Sequence, residues 1–465
     1  RMNAIIFSAI WGVVMMFSGL FAKNKQTITF MAIAGLLLLT GANLLHACGT
    51  WVIKIDTHEM LHFDSMGLFF NTVAFFSALL YVILSGKDIE RTGVHVAEYY
   101  ALIFFVLCGV SILTSFNGLL MLFLGVEIMT IPLYILTGAD KKNLKSNEAS
   151  LKYFLMGSFS TGIMLMGIAL IYGATGRFGL SIGTVSTSTT GLGMRPSFLE
   201  IGGLILLFVA MCFKVSAAPF HFWTPDVYDG APSVFTSFMA TIVKSAGFFA
   251  FIKLMEPRTA ILGDTWSIIL PLVILSTLLV GNVTAVFQQS VKRMLAYSSI
   301  AQAGFMLFAL YGTSVMSKEG LVLYAFSYSI ATIGLFAVLI RLKDYSLDGF
   351  NGLAAQHPMI AFAAAVFLLS LAGIPLTAGF FAKYYMLAAA VQAGGIFWLV
   401  IVAVLLAAVS VYYYFRVIQS MYFKSGQPEW ASPVSRSFAW ALIVLAAMLL
   451  YTGLFPTAVL KFIYF

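Results

Sequence analysis

The sequence has very few charged side chains for its length. Asp, Glu, Lys and Arg make up 9% of the 465 residues, whereas about 25% is usual in soluble proteins. The net charge is +8, but so few charges cannot form the dense basic face that nucleic acids require. Hydrophobic residues account for 61%. The composition therefore predicts an integral membrane protein.

Cysteine and cofactor-binding motifs are equally scarce. Cys48, Cys108 and Cys212 lie far apart in apolar segments and are too few and too dispersed to hold an iron–sulfur cluster. The chain has no G-x-G-x-x-G, G-x-x-x-x-G-K-[ST] or C-x-x-C-H motif, the fingerprints of dinucleotide, nucleotide and haem binding. We therefore expect the chain to work without a cofactor of its own.

One short motif resembles a metal site. His58-Glu59-Met60-Leu61-His62 matches H-E-x-x-H, which binds zinc when both histidines share one helical face and a third ligand is present. The segment lies in a predicted loop of about fourteen residues, and no convincing third ligand accompanies it. We predict that it binds no metal.

Apolar runs fill almost the whole chain. A bilayer span needs about 20 mostly apolar residues, and the sequence contains fourteen such runs. They cover residues 4–22, 28–48, 63–85, 97–115, 117–137, 150–174, 198–220, 232–254, 266–288, 294–313, 320–342, 358–391, 396–420 and 436–455. Lys23 and Lys25 follow the first run, which we interpret as a retained helix. The predicted fold is all-α, with about fourteen transmembrane helices.

The distribution of Lys and Arg predicts the orientation. Connections after odd-numbered spans hold fifteen of these residues, and the opposite side, including both termini, holds eight. Because cytoplasmic loops carry the excess of Lys and Arg, the first side is predicted to be cytoplasmic and both termini external.

A weak internal similarity links residues 97–254 with residues 266–420. Each block has about five spans, and the fourth span of each carries a proline beside small residues, in the segments 216–219 and 372–375. Five is odd, so the second copy enters the bilayer from the opposite side. Inverted repeats with broken helices are typical of transporter ion pathways, although chance remains the alternative because proline is common in membrane helices. The predicted parts are 1–96 (three helices), 97–254, 266–420 and 436–465 (helix fourteen).

Four ionisable residues lie inside apolar runs: Glu127, Lys214, Lys244 and Lys383. Each such charge costs about 2.5–3.5 kcal/mol to insert and marks an ion pathway or proton relay by default. The alternatives are snorkelling or a structural pair. Snorkelling needs a nearby helix end, whereas unwound backbone at a helix break lines a wet cavity. We therefore interpret the set as a proton relay.

Lysine suits a relay because desolvation disfavours the charged form of a buried amine, which then exchanges protons near neutral pH. A nearby carboxylate opposes this effect. We therefore predict that Glu127 modulates Lys214, which passes protons towards Lys244. The polar segment 221–232, with His221 and Asp226, either takes part in proton uptake or is a connection with capping carboxylates.

The segment Lys214-Val-Ser-Ala-Ala-Pro-Phe-His-Phe-Trp-Thr-Pro-Asp-Val-Tyr-Asp-Gly-Ala-Pro232 resembles the antiporter-like membrane subunits of respiratory complex I (NADH:quinone oxidoreductase). Residues 123–127, 282–299 and 370–383 match as well, and the similarity covers essentially the full length. The Trp-Thr-Pro-Asp-Val-Tyr string and Lys383 are similar to the bacterial N-type (NuoN-type) subunits. M-type subunits have a glutamate at that position, and L-type subunits are longer.

The resemblance implies a proton channel in the membrane arm of a bacterial inner-membrane translocase. Glu127 and Lys214 would be the paired residues, Lys244 the central lysine and Lys383 the terminal one, while Lys292 lies in a matching segment. Flavin, iron–sulfur clusters and quinone would belong to other subunits. The partners would be further antiporter-like subunits and small membrane subunits.

One residue departs from the family pattern. N-type subunits can carry a histidine where this chain has Gln302, so the path from Lys244 to Lys383 must rely on water and on hydroxyl or amide side chains. Two other functions remain open. They are a subunit of a Mrp-type cation/proton antiporter or membrane-bound hydrogenase, and a scaffold whose charges only hold helices together.

Overall fold

The computed structural model describes residues 2–22, 24–53, 55–180, 197–312 and 314–461. These residues are predominantly helical, and twelve of their helices are long and apolar enough to cross a membrane. The predicted all-α membrane class is confirmed. Arg1, Lys23, Lys54 and Arg195, which contributed to the predicted orientation, lie outside the described residues.

The helices before the first break pair mostly with their neighbours in sequence. They are α1 (Asn3–Phe21), α2 (Lys25–Ala47), α3 (Ser65–Thr92), α4 (Val96–Ser115), α5 (Leu119–Thr137), α6 (Leu144–Thr175) and α7 (Phe198–Val215). Several begin at a side chain that accepts a hydrogen bond from the first turn, as Asn24, Asp64, Asn143 and Ser197 do. Such caps satisfy backbone donors that have no partner within the helix.

The remaining helical segments of five or more residues follow the first break. They are α8 (Trp223–Gly230), α9 (Ser233–Phe238), a π-helical turn (Met239–Val243), α10 (Lys244–Met255), α11 (Asp264–Val286), α12 (Val291–Met306), α13 (Val315–Leu339), α14 (Pro358–Ala372), α15 (Ala378–Ala393), α16 (Phe397–Phe423) and α17 (Arg436–Leu454). Ser314 and Ser317 form a reciprocal capping box at the start of α13.

Helix α13 lies at the centre of the molecule. Its apolar stretch is entirely buried, and the stretch from α9 to the end of α10 is 94% buried. In contrast, α2, α6 and α16 are each only 39% buried over the corresponding stretch. A helix that is apolar all round is buried or faces lipid, so α13 forms the core and the other three form the periphery.

Two helices are interrupted at the predicted prolines. Helix α7 ends where Ser216 adopts a left-handed conformation, and α14 ends at Gly373 in the same conformation. A left-handed residue after the last turn is a common helix stop. The predicted seventh span of 198–220 was therefore too long, because the helix stops at Val215 and a separate helix, α8, begins at Trp223.

The predicted twelfth span, 358–391, is divided between α14 and α15. The tenth, 294–313, corresponds to α12 and a 3₁₀ turn over Leu307–Leu310. The exact number of fourteen spans, the inverted repeat and the boundaries of the four parts stay predictions.

Candidate functional site

Lys214 and Glu127 do not form a closed ion pair. The Lys214 ammonium lies in the last turn of α7, where it is buried and has no hydrogen-bond partner among the described residues. Glu127, on α5, instead accepts a hydrogen bond of 2.7 Å from the Thr161 hydroxyl on α6. The predicted pair is therefore open, with the carboxylate held by a hydroxyl.

The break after Lys214 is fixed by side chains that bond to its unwound backbone. The Trp223 indole donates to the Phe213 carbonyl at 3.0 Å, and the Ala218 amide donates to the Thr277 hydroxyl on α11 at 2.9 Å. Thr224 also donates to the Ser216 hydroxyl at 2.7 Å. Because a buried backbone group without a partner is costly, these contacts hold the interruption in one conformation.

The polar segment after the break forms an ion-pair cluster. Asp226 lies 2.9 Å from Lys152 on α6 and 3.4 Å from Arg293 on α12, and Asp229 lies 3.8 Å from Arg293. These contacts tie α8 to two other helices. His221 lies in the break itself, where its Nδ1 atom is buried without a partner among the described residues.

Lys292 binds carbonyl groups at the C-terminal end of α8. Its ammonium donates to the carbonyls of Asp229 at 2.8 Å and Ala231 at 2.7 Å, and it lies 5.7 Å from the centre of the Tyr345 ring. Carbonyls at a helix C-terminus lack partners within the helix and attract cations. Lys292 therefore sits at the α8 terminus, at the same end of the molecule as the ion-pair cluster.

Lys244 is positioned by an irregular turn. The π-helical residues Met239–Val243 immediately precede it, and π turns inside helices occur frequently at functional sites. The buried ammonium donates to the carbonyl of Ser299 at 2.7 Å and to the Ser299 hydroxyl at 3.0 Å. Lys244 is thus directed towards α12.

Lys383 binds the end of the broken helix. Its ammonium donates to the carbonyls of Leu371 at 2.9 Å and Ala372 at 3.0 Å, which close α14. It also lies 4.6 Å from the centre of the Phe305 ring, within the range of a cation–π contact. The interruption therefore supplies the oxygen atoms that hold the terminal lysine.

Gln302 lies in a polar network beside Lys383. Its amide nitrogen donates to the Leu371 carbonyl at 2.9 Å and to the Tyr414 hydroxyl at 3.1 Å, and Tyr414 donates to the Ser298 hydroxyl at 2.8 Å. The amide oxygen of Gln302 accepts from Tyr324. A row of polar contacts thus runs from the carbonyl that binds Lys383 to Ser298. Ser298 adjoins Ser299, which binds Lys244, but no hydrogen bond links the two serines among the described residues, so the bridge between the lysines stays a prediction.

The path between Lys214 and Lys244 has no such row among the described residues. Their helices are nevertheless in contact, since a Cβ atom on Gly247 would lie 3.4 Å from Cγ1 of Val215. The structure therefore brings Lys214 next to the helix of Lys244 without a direct hydrogen bond.

Sequence reasoning missed Tyr414, Ser298 and Thr161. The spacing of four residues between Ser298 and Gln302 places both on one face of a helix, so this signal was available. Tyr414 lies 112 residues from Gln302 and no local pattern points to it. Neither does any pattern predict the π turn before Lys244.

The H-E-x-x-H segment does not form the helix that zinc binding requires. His58 and Glu59 have positive φ angles of 47° and 60°, so the two histidines do not share a helical face. Within the described ranges, no group of three His, Cys, Asp or Glu side chains is arranged to hold a metal ion.

Comparison with known families identifies similar proteins. The sequence profile described as "NADH:quinone oxidoreductase/Mrp antiporter, TM" matches residues 116–410. NADH-quinone oxidoreductase subunit N of Cytophaga hutchinsonii is 39% identical, with 99% of each chain covered. The protein of the same name from Trichlorobacter lovleyi is 38% identical over 99% of this chain and 95% of its own.

A solved structure agrees with these matches. A chain of respiratory complex I from Thermus thermophilus, determined with bound aureothin, superposes with a TM-score of 0.84 at 32% identity. The alignment covers 98% of both chains, so the similarity extends from the first helices to the last.

Proposed function

The chain belongs to the family of antiporter-like membrane subunits shared by NADH:quinone oxidoreductases and Mrp antiporters, and we propose that it translocates protons in the membrane arm of a bacterial NADH:quinone oxidoreductase. In that assembly it acts as a subunit of a translocase. NADH oxidation and quinone reduction, with their flavin and iron–sulfur clusters, take place on other subunits.

The observation that carries this proposal is the row of polar contacts from Lys383 to Ser298, the neighbour of the serine that binds Lys244. It runs from the carbonyl that binds Lys383 through Gln302 and Tyr414 to Ser298, and water must bridge the gap from Ser298 to the Lys244–Ser299 contact. Hydroxyl groups both donate and accept, so they can relay a proton, whereas the amide of Gln302 can only order the chain. Water beside Gln302 must therefore complete the transfer.

Lys214 and Glu127 control the supply of protons to Lys244. The open arrangement leaves the Lys214 amine without a hydrogen-bond partner among the described residues, and a charge arriving near Glu127 changes the electrostatic field on Lys214. At an effective dielectric constant of 20, two unit charges interact by about 4 kcal/mol at 4 Å and by about 2.4 kcal/mol at 7 Å. A shift of the charge beside Lys214 by a few ångströms therefore changes the stability of its charged form by about 2 kcal/mol, which favours release of a proton towards Lys244.

The partly exposed position of Glu127 also indicates that a neighbouring subunit covers this part of the chain. The carboxylate is only half-buried, and the surrounding face of α5 exposes Leu124, Ile131 and Ile135. An ionisable group does not face lipid at mid-membrane depth. A partner of the membrane arm therefore covers this face and places its own polar group beside Glu127.

The described ion pairs agree with the predicted division of the loops between the two sides of the membrane. Lys152 and Arg293, both assigned to the cytoplasmic side, meet at Asp226, and Lys318, assigned to the external side, meets Glu256 at 2.7 Å. No described ion pair joins a residue of one assigned side to a residue of the other. Because the loops at the Asp226 end carry the excess of Lys and Arg, we assign this end to the cytoplasm, with the chain in the inner membrane and both termini external.

Isolation of the assembly from native membranes in mild detergent tests the choice between oxidoreductase and antiporter. NADH:quinone oxidoreduction together with flavin and iron–sulfur subunits supports the proposal. If only antiporter-like membrane chains co-purify and NADH is not oxidised, the chain is a cation antiporter subunit instead.

Replacement of Lys214 by alanine tests the relay. We expect Lys214→Ala to lower the number of protons translocated per NADH oxidised while the complex still assembles. Lys142→Ala is the matched control, because that lysine is exposed in the loop before α6. An unchanged proton-to-electron ratio in Lys214→Ala would instead support a role in helix packing.

A further inference from the structure

Three buried hydroxyls on α3 lack partners. Ser77, Tyr81 and Ser85 are each at most 1% exposed, and their hydroxyls have no hydrogen-bond partner among the described residues. They are spaced four residues apart, so they form one stripe along the helix. Other serines of this part of the chain, such as Ser8 and Ser111, donate to the carbonyl four residues before. The stripe on α3 therefore departs from the usual behaviour of serine in membrane helices.

A second pair of hydroxyls without partners lies on α9, which packs against α3. Ser233 and Ser237 are 7% and 0% exposed, and their hydroxyls also lack a partner among the described residues. They are four residues apart, so they share one face of α9 and form a second stripe. The Tyr81 ring lies 5.3 Å from the ring of Phe238, so the two helices meet at the level of Tyr81. Thr236, on another face of α9, donates to the Tyr228 carbonyl at 3.0 Å instead.

The α9 stripe leads to Lys244. Thr241 follows Ser237 by four residues and donates to the Ser237 carbonyl at 2.7 Å, and Lys244 follows Thr241 by three residues. At 1.5 Å per residue, Ser233 and Lys244 are about 16 Å apart along the helix axis. A short file of hydrogen-bonded water molecules spans such a distance.

The other end of the stripes opens into a polar cavity. Its volume is about 560 Å³, and its lining includes Asp88, Arg91, Asp229, Ser233, Lys292 and Ser432. Asp88 lies one turn beyond Ser85 on α3 and pairs with Arg341 at 3.7 Å and Arg91 at 3.9 Å. The cavity is at the end of the molecule assigned above to the cytoplasm, where it can collect protons from bulk water.

We propose that α3 and α9 enclose a water-filled proton inlet that runs from the Asp88 cavity past Ser233, Tyr81 and Ser237 to Lys244. This inference rests on the proposed function, and it supplies Lys244 from the cytoplasm without passing through Glu127 or Lys214. Buried hydroxyls require partners, and water held between two such stripes supplies them because it both donates and accepts.

Transfer along the inlet moves one proton and no electron. At each step an O–H bond of one water or hydroxyl breaks while the next oxygen gains the proton, and the last step forms an N–H bond at the neutral Lys244 amine. Lys244 then holds the proton against Ser299 for passage towards Lys383. Lys244 then receives protons by two separate routes, one from Lys214 and one through the inlet.

Access to single cysteines tests whether the inlet holds water. Three single-cysteine variants are made in the full complex: Ser233→Cys, Ser237→Cys and the control Thr236→Cys. Each also carries Cys48→Ser, because Cys48 is exposed whereas Cys108 and Cys212 are buried. Inside-out membrane vesicles are treated with Ag⁺, a small thiol-reactive cation, and protection against later alkylation is measured after unfolding. We expect the thiols at positions 233 and 237 to react at least tenfold faster than the thiol at 236. Equal rates at 236 and 237 would overturn the inlet.

Pumping by a matched pair of variants tests whether the inlet carries protons. Ser237→Val and Ser237→Thr have nearly the same shape and differ mainly in the hydroxyl, so we expect the valine variant to pump fewer protons per NADH and the threonine variant to pump normally. If Ser237→Val pumps normally while Lys244→Ala does not, the inlet is wrong and the proposed relay stands. If Lys244→Ala also pumps normally, the proposed function itself fails.

Discussion

Removal of one hydroxyl, in Tyr414→Phe, is the sharpest perturbation of the row between Lys244 and Lys383. The Tyr414 hydroxyl donates to Ser298 at 2.8 Å and accepts from Gln302 at 3.1 Å. Phenylalanine keeps the ring and its packing but breaks both contacts. The row is then interrupted between Ser298 and Gln302.

The size of the effect follows from the two lost hydrogen bonds. Each net hydrogen bond contributes about 1 kcal/mol, so bridging the gap adds about 2 kcal/mol to the barrier for transfer. An increase of 2 kcal/mol slows a step about 30-fold. We therefore expect Tyr414→Phe to lower the number of protons translocated per NADH oxidised.

Tyr413→Phe is the matched control. Tyr413 is the neighbouring residue on α16, is equally buried, and donates to Asn282 at 3.1 Å, while its ring packs 4.6 Å from the ring of Tyr414. Both variants lose one buried hydroxyl and should lose similar stability, so assembly of the complex is checked in each. The assay is proton uptake by inside-out vesicles during NADH oxidation. Normal pumping by Tyr414→Phe, or an equal defect in Tyr413→Phe, would refute the reasoning.

Two further variants test other parts of the site. Gly379→Ala should disturb the α14–α15 break and displace Lys383, because a Cβ atom there would lie 1.9 Å from the Ser370 carbonyl oxygen; loss of pumping or assembly is expected. Gly162→Ala is its control, since nothing lies within 4 Å of the added atom and Ala favours a helix by about 1 kcal/mol. Asp226→Asn should leave pumping unchanged and cost less than about 1 kcal/mol in stability, because its ion pairs with Lys152 and Arg293 are partly exposed. If Asp226→Asn translocates fewer protons per NADH oxidised, this carboxylate takes part in proton uptake.

The membrane class and most of the helices could be predicted from local sequence. Long apolar runs define spans because every backbone polar group must be satisfied within the bilayer. Helix ends were harder to predict. The apolar residues after Val215 continue the hydrophobic pattern, yet Ser216 turns left-handed and the freed backbone is bound by Trp223 and by Thr277 on α11. Hydropathy carries no information about such distant partners.

The four intramembrane charges could be identified from the sequence, but their contacts could not. The sequence predicted that Glu127 modulates Lys214, but it did not show that Thr161 would bind the carboxylate. The sequence predicted that water and hydroxyl or amide groups join Lys244 to Lys383, because Gln302 cannot itself carry a proton, and this stays a prediction. Which groups do so depends on α16, more than a hundred residues away.

The sequence by itself determined which residues are costly to bury and therefore which require a function: three lysines and one glutamate within apolar runs. It did so because the energy of placing a charge in the membrane depends on the span in which the residue lies. The tertiary structure alone decided what each charge contacts, where the helices are interrupted and which hydroxyls remain without partners. These features depend on the packing of helices distant in sequence around α13, and hydrogen bonds act only at distances that this packing sets.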